Sequence, residues 1–416
     1  MTDNQRWLSS KYLAYKILTN LWFVGAVWLY FYRLFITDRQ VGILDGLAFA
    51  VGLVAEVPSG ALADRFGRDK MVKLGQILAG GGILMQAFGS SFVPFFVGQS
   101  IMMIGVAFTS GADEALFFGK LNFKRTSLDW RKLVTRGSQV ALIGALIATV
   151  AGGWLHVVNP RIPWVLTGLA FMSSAFLVWS VKEHRPAKDK QKLFVELREH
   201  LMSIKVGFAQ FRAPQLLLYV PIIIIVQGLF YAAGWGLLRI VLLDRFHFDP
   251  LWGSVVVATS SLVTVGILAI MQKYAESMSE KRVLALISLG AAASLLLALA
   301  DIGIWGYAVI LALYAGEHTL YPFMSEVLNN RAPEDYRATV LSVASFLRAL
   351  PYVALAPLIG YLNMRGDLEY FLVGWALLIC IAVLLYLLLK KKDAQIRIVQ
   401  QEVDIGVRVP EISTEP

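Results

Sequence analysis

The sequence predicts an all-α integral membrane protein: twelve transmembrane helices in two pseudo-symmetric six-helix bundles. Three observations carry this expectation. Of 416 residues, 57% are hydrophobic and only 16% are charged, far from the balance of a soluble globular chain. The apolar residues fall into twelve runs near the length of about 20 that a helix needs to cross roughly 30 Å of hydrocarbon. Features of the first six runs recur in the last six.

In chain order the predicted spans are 12–36, 41–60, 71–90, 92–117, 133–157, 162–181, 215–241, 252–272, 282–300, 304–327, 338–362 and 368–389. Polar turns separate them, such as Thr37-Asp38-Arg39-Gln40, Val158-Asn159-Pro160-Arg161 and Asn363-Met364-Arg365-Gly366-Asp367, rich in the residues that favour turns. The polar Met1–Ser10 leads into the first run without a small-residue cleavage site, so no removable signal peptide is expected. With twelve spans both termini lie on one side. Placing them in the cytoplasm leaves Arg33, Arg39, Arg161, Arg239, Arg245 and Arg365 outside and Arg348 within the membrane, the rest of the 38 Lys and Arg facing inward. That bias is the positive-inside pattern of a plasma-membrane protein. The net charge of +9 therefore reports topology, and no nucleic acid is expected as a partner.

Four segments follow: an N-terminal bundle, 1–181; a cytoplasmic linker, 182–212; a C-terminal bundle, 213–390; and a cytoplasmic tail, 391–416. Within the linker Phe194, Leu197, Leu201, Ile204, Phe208 and Phe211 recur at steps of three and four, which predicts an amphipathic helix along the cytoplasmic membrane surface. The repeat shows in Arg33-Leu-Phe-Ile-Thr-Asp38-Arg39 against Arg239-Ile-Val-Leu-Leu-Asp244-Arg245, and in Arg136 against Arg337 at a near-equal offset.

Several chemistries are not expected. The single cysteine, Cys380, lies in an apolar run, so neither an intramolecular disulfide nor a cysteine metal cluster is possible. No phosphate-cradling Gly-rich loop followed by Lys and Ser/Thr is present, nor His/Cys/Asp ligands at metal spacing. Neither an enzyme nor a cofactor is expected.

Between the second and third spans lies Gly60-Ala-Leu-Ala-Asp64-Arg65-Phe-Gly67-Arg68-Asp69-Lys70, read as a tight charged loop that its two glycines allow to turn and pack. This stretch resembles the hallmark cytoplasmic loop of the major facilitator superfamily. Glu56-Val-Pro-Ser59, Ser110-Gly-Ala-Asp113-Glu-Ala-Leu116 and Arg337-Ala-Thr-Val-Leu-Ser342 are similar to a bacterial branch of that family. The resemblance runs from about Lys11 to Lys392. It implies a secondary transporter working as a monomer by alternating access, its small-molecule substrate bound between parallel repeats near the midplane. It also implies a conformational latch of Gly60, Asp64, Arg65, Gly67 and Arg68 with an acid at the end of the fourth helix, here Asp113. The sequence departs from the family pattern at Asp69, where a base is usual. The second copy, Met271–Arg282, is too degraded to assign a latch, the fourth span lacks its usual arginine near Gly98-Gln99, and Gly152-Gly153 stands without the Gly-Pro pair of many antiporters.

A charge in hydrocarbon costs several kcal/mol or more unless it meets a partner or a cavity. Counting at 1.5 Å per residue from the ends of their spans, Glu317 and Arg348 each lie about 15 Å deep, so they can pair at the midplane. Such a pair either fixes helix packing or breaks during the cycle. In the second case Glu317, with the neighbouring His318, is a candidate for proton coupling. Glu56, shallower by this count, is either a further proton site or a structural carboxylate. Arg33 and Arg239 either form a positive gate for anionic substrates or snorkel and pair with Asp38 and Asp244. Asn20, Gln227 and Trp235 complete the substrate-cavity candidates, with Trp22, Trp28, Phe230 and Tyr231 as possible apolar walls. The expected function is proton-coupled efflux of an amphipathic or drug-like compound. The alternatives are uptake of a small organic acid, or a receptor or scaffold that keeps the fold without transport.

Overall fold

The computed structural model describes residues 3–121, 127–181, 183, 202, 204–274 and 278–406. The first half contains α1 (Asp3–Leu18), α2 (Trp28–Tyr32), α3 (Asp38–Phe66), α4 (Arg68–Phe88), α5 (Phe92–Thr109), α6 (Ala112–Leu121), α7 (Ser127–Val158) and α8 (Ile162–Trp179). The second contains α9 (Pro214–Leu217), a π-helical turn Ile222–Gln227, α10 (Gly228–Gly234), α11 (Leu237–Arg245), α12 (Pro250–Tyr274), α13 (Glu280–Leu297), α14 (Gly306–Arg331), α15 (Arg337–Arg365) and α16 (Leu368–Gly406). No strand occurs among the described residues.

Among the described residues nine helices are long and apolar enough to cross a membrane; the predicted spans 12–36, 282–300 and 304–327 are not among them. The first is interrupted. Asn20 turns its side-chain amide onto the Lys16 carbonyl (2.8 Å) and Thr19 bonds back to that of Tyr15 (2.9 Å), local bonds that compete with helix continuation. α13 opens on Glu280, Lys281 and Arg282, and α14 is diluted by Glu317, His318, Pro322 and three tyrosines. The seventh span is also broken, between α10 and α11 at Trp235-Gly236. Irregular backbone at membrane depth is tolerated where protein covers it. Here the breaks in the first and seventh spans meet, because Arg239 reaches the Gly25 carbonyl at 2.9 Å.

Most of the predicted linker lies outside the described residues. Residues 204–210 are helical; Phe208 packs on Phe346 of α15, ring centroids 6.1 Å apart, and Phe211 is buried.

The charged stretch is not one loop. α3 continues through Gly60 to Phe66 and α4 starts at Arg68, so the whole turn is Gly67, whose φ of 98° suits glycine alone. A Cβ on Gly60 would meet nothing within 4 Å, so that glycine is not needed for packing in this conformation. We call the end bearing Gly67 the turn face and the end bearing Arg33 the opposite face.

The two halves are joined toward the opposite face. Along α3 the buried residues are Val41, Gly42, Leu44, Asp45, Gly46, Ala48 and Phe49, and toward the turn face only Ser59 and Ala63 follow. Val54 is 72% exposed. α12 repeats the pattern, with Gly253, Ser254, Val256, Val257, Ala258 and Ser260 buried and mostly exposed residues beyond. Two seams result. In one α3 lies against α15, where a Cβ on Gly46 would stand 2.6 Å from the Val353 carbonyl oxygen. In the other α7 meets α12, where one on Gly153 would stand 2.8 Å from that of Pro250. Helix backbones approach this closely only through small residues.

Candidate functional site

The most buried acid, Glu317 at 4% exposure, is paired. Arg348 of α15 donates to Glu317 of α14 at 2.6 Å, with 14% and 5% of the two side chains exposed. Helical spacing explains the placement: Leu313, Glu317, Leu320 and Met324 form one buried face of α14. The guanidinium also lies over the rings of Tyr321 (4.1 Å) and Tyr231 (5.4 Å), a cation–π arrangement suited to its planar charge. Gln227, Tyr321, Ser325 and Arg348 line a cavity of about 30 Å³, room for about one water. Among the described residues the Gln227 Nε2 and Arg348 Nε are buried without a hydrogen-bond partner. Such donors can serve a polar ligand or a water.

His318 turns away from this pair. Its ring stacks on Tyr314 (4.3 Å), with Nδ1 3.0 Å from the Tyr314 carbonyl oxygen. Trp235 is 63% exposed, its ring 6.5 Å from that of His318. Other aromatic candidates are packing residues: Phe230 is 1% exposed, and Trp22 packs edge-on against Phe171 at 5.1 Å.

The repeat-related arginines hold the seam. Arg33 binds Asp38 through two bonds (2.7 and 2.8 Å) and Asp244 of the other half at 2.8 Å. Arg239 is buried and donates to the carbonyls of Gly234 (2.7 Å) and Gly25 (2.9 Å). Asn363 of α15 donates to Asp38 at 2.5 Å. Asp45 and Tyr352, neither singled out in the sequence, lie in the same seam: Tyr352 donates to Asp45, and Gln99 Nε2 stands 3.4 Å from the same carboxyl. Asp45 was findable, since it is the one charged residue between Arg39 and Glu56 and is flanked by Gly42 and Gly46.

At the turn face Asp64 and Arg68 stand 4.0 Å apart across the Gly67 turn, and Glu183 accepts from the Arg68 backbone N–H at 2.8 Å. Arg65 lies over the ring of Phe66 at 5.7 Å. Asp113 is not beside Arg68; Lys16 is 3.5 Å from Asp113 and 3.1 Å from Glu114. Glu56 is exposed, its carboxyl 3.5 Å from the Ser110 hydroxyl.

A second cluster at this face arises within the degraded copy. Glu280, at the start of α13, accepts from Tyr219 (2.6 Å), Tyr386 (2.7 Å), Lys390 (2.6 Å) and Arg331 (2.7 Å), so one carboxylate ties together α13, α14, α16 and the start of the seventh span. Burial opposes its ionisation, but hydrogen bonds from Lys390, Tyr219 and Tyr386 and the Arg331 charge bring its pKa down to about 2. A carboxylate depressed in this way stabilises the fold fully above its ordinary value of about 4.3 and loses that contribution as the pH falls toward 2. Glu280→Gln is therefore expected to lower the melting temperature at pH 7 by about 2–4 °C, a difference that narrows in acid. Equal melting of both proteins at pH 7 would show the cluster to be dispensable.

A family model described as the Major Facilitator Superfamily matches residues 14–356. An uncharacterized MFS-type transporter of Bacillus subtilis (strain 168), YxaM, is 22% identical over 378 residues, covering 86% of this chain and 90% of that protein. Among solved structures, a bacterial homolog of the human lysosomal transporter Spinster, inward-facing and unoccupied, is similar at TM-score 0.62 and 16% identity, covering 94% of this chain and 98% of its own. The peptide transporter POT in complex with sulfate gives 0.69 at 14%, covering 95% of each chain. The nucleoside transporter NupG gives 0.70 at 11%, covering 94% and 100%. At these identities the structural likeness speaks for the fold.

Proposed function

The chain belongs to the Major Facilitator Superfamily, a family of membrane transporters rather than enzymes, and from that premise we propose that it exports a small amphipathic organic compound in exchange for protons. The observation that carries the proposal is the buried Glu317–Arg348 pair at 2.6 Å. A carboxylate at that depth is stable with its arginine partner, or neutral with a proton. Keeping the pair and protonating Glu317 are thus alternatives, and exchange requires that substrate bind beside the intact pair, in the space above Tyr321, and leave when Glu317 takes a proton. His318, bound to its own helix, and the exposed Glu56 are weaker proton candidates. Asn20, Gln227 and Trp235 remain proposed substrate contacts. Arg33 and Arg239 sit in the seam, where they fit a gate better than a site for organic acids.

The closed seams at the opposite face correspond to an inward-facing state if the turn face is cytoplasmic, the orientation the basic residues favour in a plasma membrane. The four segments 1–181, 182–212, 213–390 and 391–416 are the proposed moving parts and connections, in a protein that functions as a monomer. In this state the latch is released, with Asp113 on Lys16 and Arg68 near Asp64. Closing the turn face would bring Asp113 to Arg68. Arg68→Ala is then expected to deepen the preference for the inward-facing state, read by double-label distances across the turn face; an unchanged distribution removes the latch.

The function is tested by flux of an amphipathic compound panel in proteoliposomes. Substrate movement coupled to opposite proton movement is expected. Movement of both in the same direction would make it an importer, and no flux with any compound would mean a scaffold.

A further inference from the structure

We propose that Asp45 is a second proton-binding group of the transport cycle, loaded while the opposite face is open and carried into the closed seam by its hydrogen bond with Tyr352. The proposal rests on the proton-coupled reading above and places a second acid where the halves part.

Asp45 lies between Gly42 and Gly46, the residues at which α3 touches the backbone of α15. A side chain at this position has to face the other half. It is 6% exposed, accepts from the Tyr352 hydroxyl of α15 and stands 3.4 Å from Gln99 Nε2 of α5. Tyr352, itself 2% exposed, accepts from the Leu237 backbone N–H at 2.7 Å, at the break in the seventh span. One carboxyl therefore links α3 to both α15 and α11 across the seam.

The ionisable groups around it are phenols: Tyr352, Tyr32 of α2 and Tyr231 of α10. These do not change charge between pH 5 and 8. The charged groups of the seam are committed elsewhere, Arg33 to Asp38 and Asp244, and Arg239 to the carbonyls of Gly234 and Gly25. His156 of α7 is at the other seam, its ring 6.5 Å from that of Tyr30.

When the opposite face opens, α3 and α15 separate and the carboxyl meets water. When it closes, the carboxyl is buried between neutral partners, where an ionised form is far more costly than a protonated one. Closing therefore takes up one proton at Asp45, and reopening returns it. Tyr231 connects this acid to the first: its ring is 5.7 Å from that of Tyr352 and lies under Arg348 at 5.4 Å. Both proton sites thus bear on one aromatic bridge, so separation at the seam can loosen the Glu317–Arg348 pair.

The experiment measures the seam without substrate. Spin labels at positions 34 and 364, exposed at the opposite face on different halves (Leu34 58%, Met364 45%), are placed in a Cys380→Ser background and their distances are followed from pH 5 to 8. The wild-type open-to-closed ratio is expected to rise with pH, by up to about tenfold per unit for one linked proton. Asp45→Asn should remain closed and lose the dependence, Asp45→Glu should keep it, and Tyr352→Phe should be more open throughout. A wild-type distribution that does not change with pH, or an Asp45→Asn variant that titrates like the wild type, overturns the proposal. So does loss of the dependence in His156→Gln with retention in Asp45→Asn. Glu317→Gln separates the two readings: it should keep this titration while losing gradient-driven flux. Normal gradient-driven flux in Glu317→Gln would sink the functional reading and leave the seam result standing.

Discussion

Gly46→Leu is expected to hold the opposite face open and to reduce transport by at least tenfold. The Cβ alone would sit 2.6 Å from the Val353 carbonyl oxygen and 2.7 Å from the Pro357 ring. Neither is the end of a flexible side chain, so α3 and α15 must move apart. Overpacking of this kind costs about 1–3 kcal/mol, which is about a 5- to 150-fold change in a two-state population. The strain is absent when the face is open, so the whole effect falls on the closed state. Gly46→Ala should give a smaller shift in the same direction. Label distances across the opposite face check both, and a leucine variant that closes and transports normally would mean that the seam is not the moving contact.

The second large effect is expected at the buried pair. Arg348→Ala leaves Glu317 without its counter-charge, and removing one partner of a buried pair costs about 3–5 kcal/mol. The protein can avoid that cost by keeping Glu317 protonated, so Arg348→Ala should transport at least about tenfold more slowly and lose its response to a pH gradient. Arg348→Lys should recover little, because an ammonium does not reproduce the planar contact with Tyr321. Combining Glu317→Gln with Arg348→Ala removes both charges, and the double variant is expected to melt above the Arg348→Ala single. If it melts below, the pair is stabilising packing and not balancing charge.

Much of the fold was legible because apolar run length and turn chemistry act locally. The fold departs from these expectations where local rules are overridden. Gly60 lies in a helix and not a turn because α3 runs on through Pro58 and ends only at Gly67. The first and seventh spans are apolar enough to suggest whole helices, but the first is interrupted where Thr19 and Asn20 bond back to their own backbone, and the two breaks are covered by each other through Arg239 and the Gly25 carbonyl, a contact that hydropathy does not report. The Glu317–Arg348 contact was accessible, since depth counted from two helix ends places both groups at one level. Asp45 was passed over because one acid in an apolar run has no visible partner in sequence, and Tyr352 lies 307 positions away. The same distance problem hid Glu280, whose four donors come from three remote parts of the chain.

The central claim is that proton movement through Glu317 drives solute movement. Its most direct test is substrate flux in proteoliposomes under imposed pH gradients of both signs, wild type against Glu317→Gln. The expected result is wild-type flux that reverses with the gradient and Glu317→Gln flux that is the same under both. A gradient response retained in Glu317→Gln, or wild-type flux indifferent to the gradient, would contradict it.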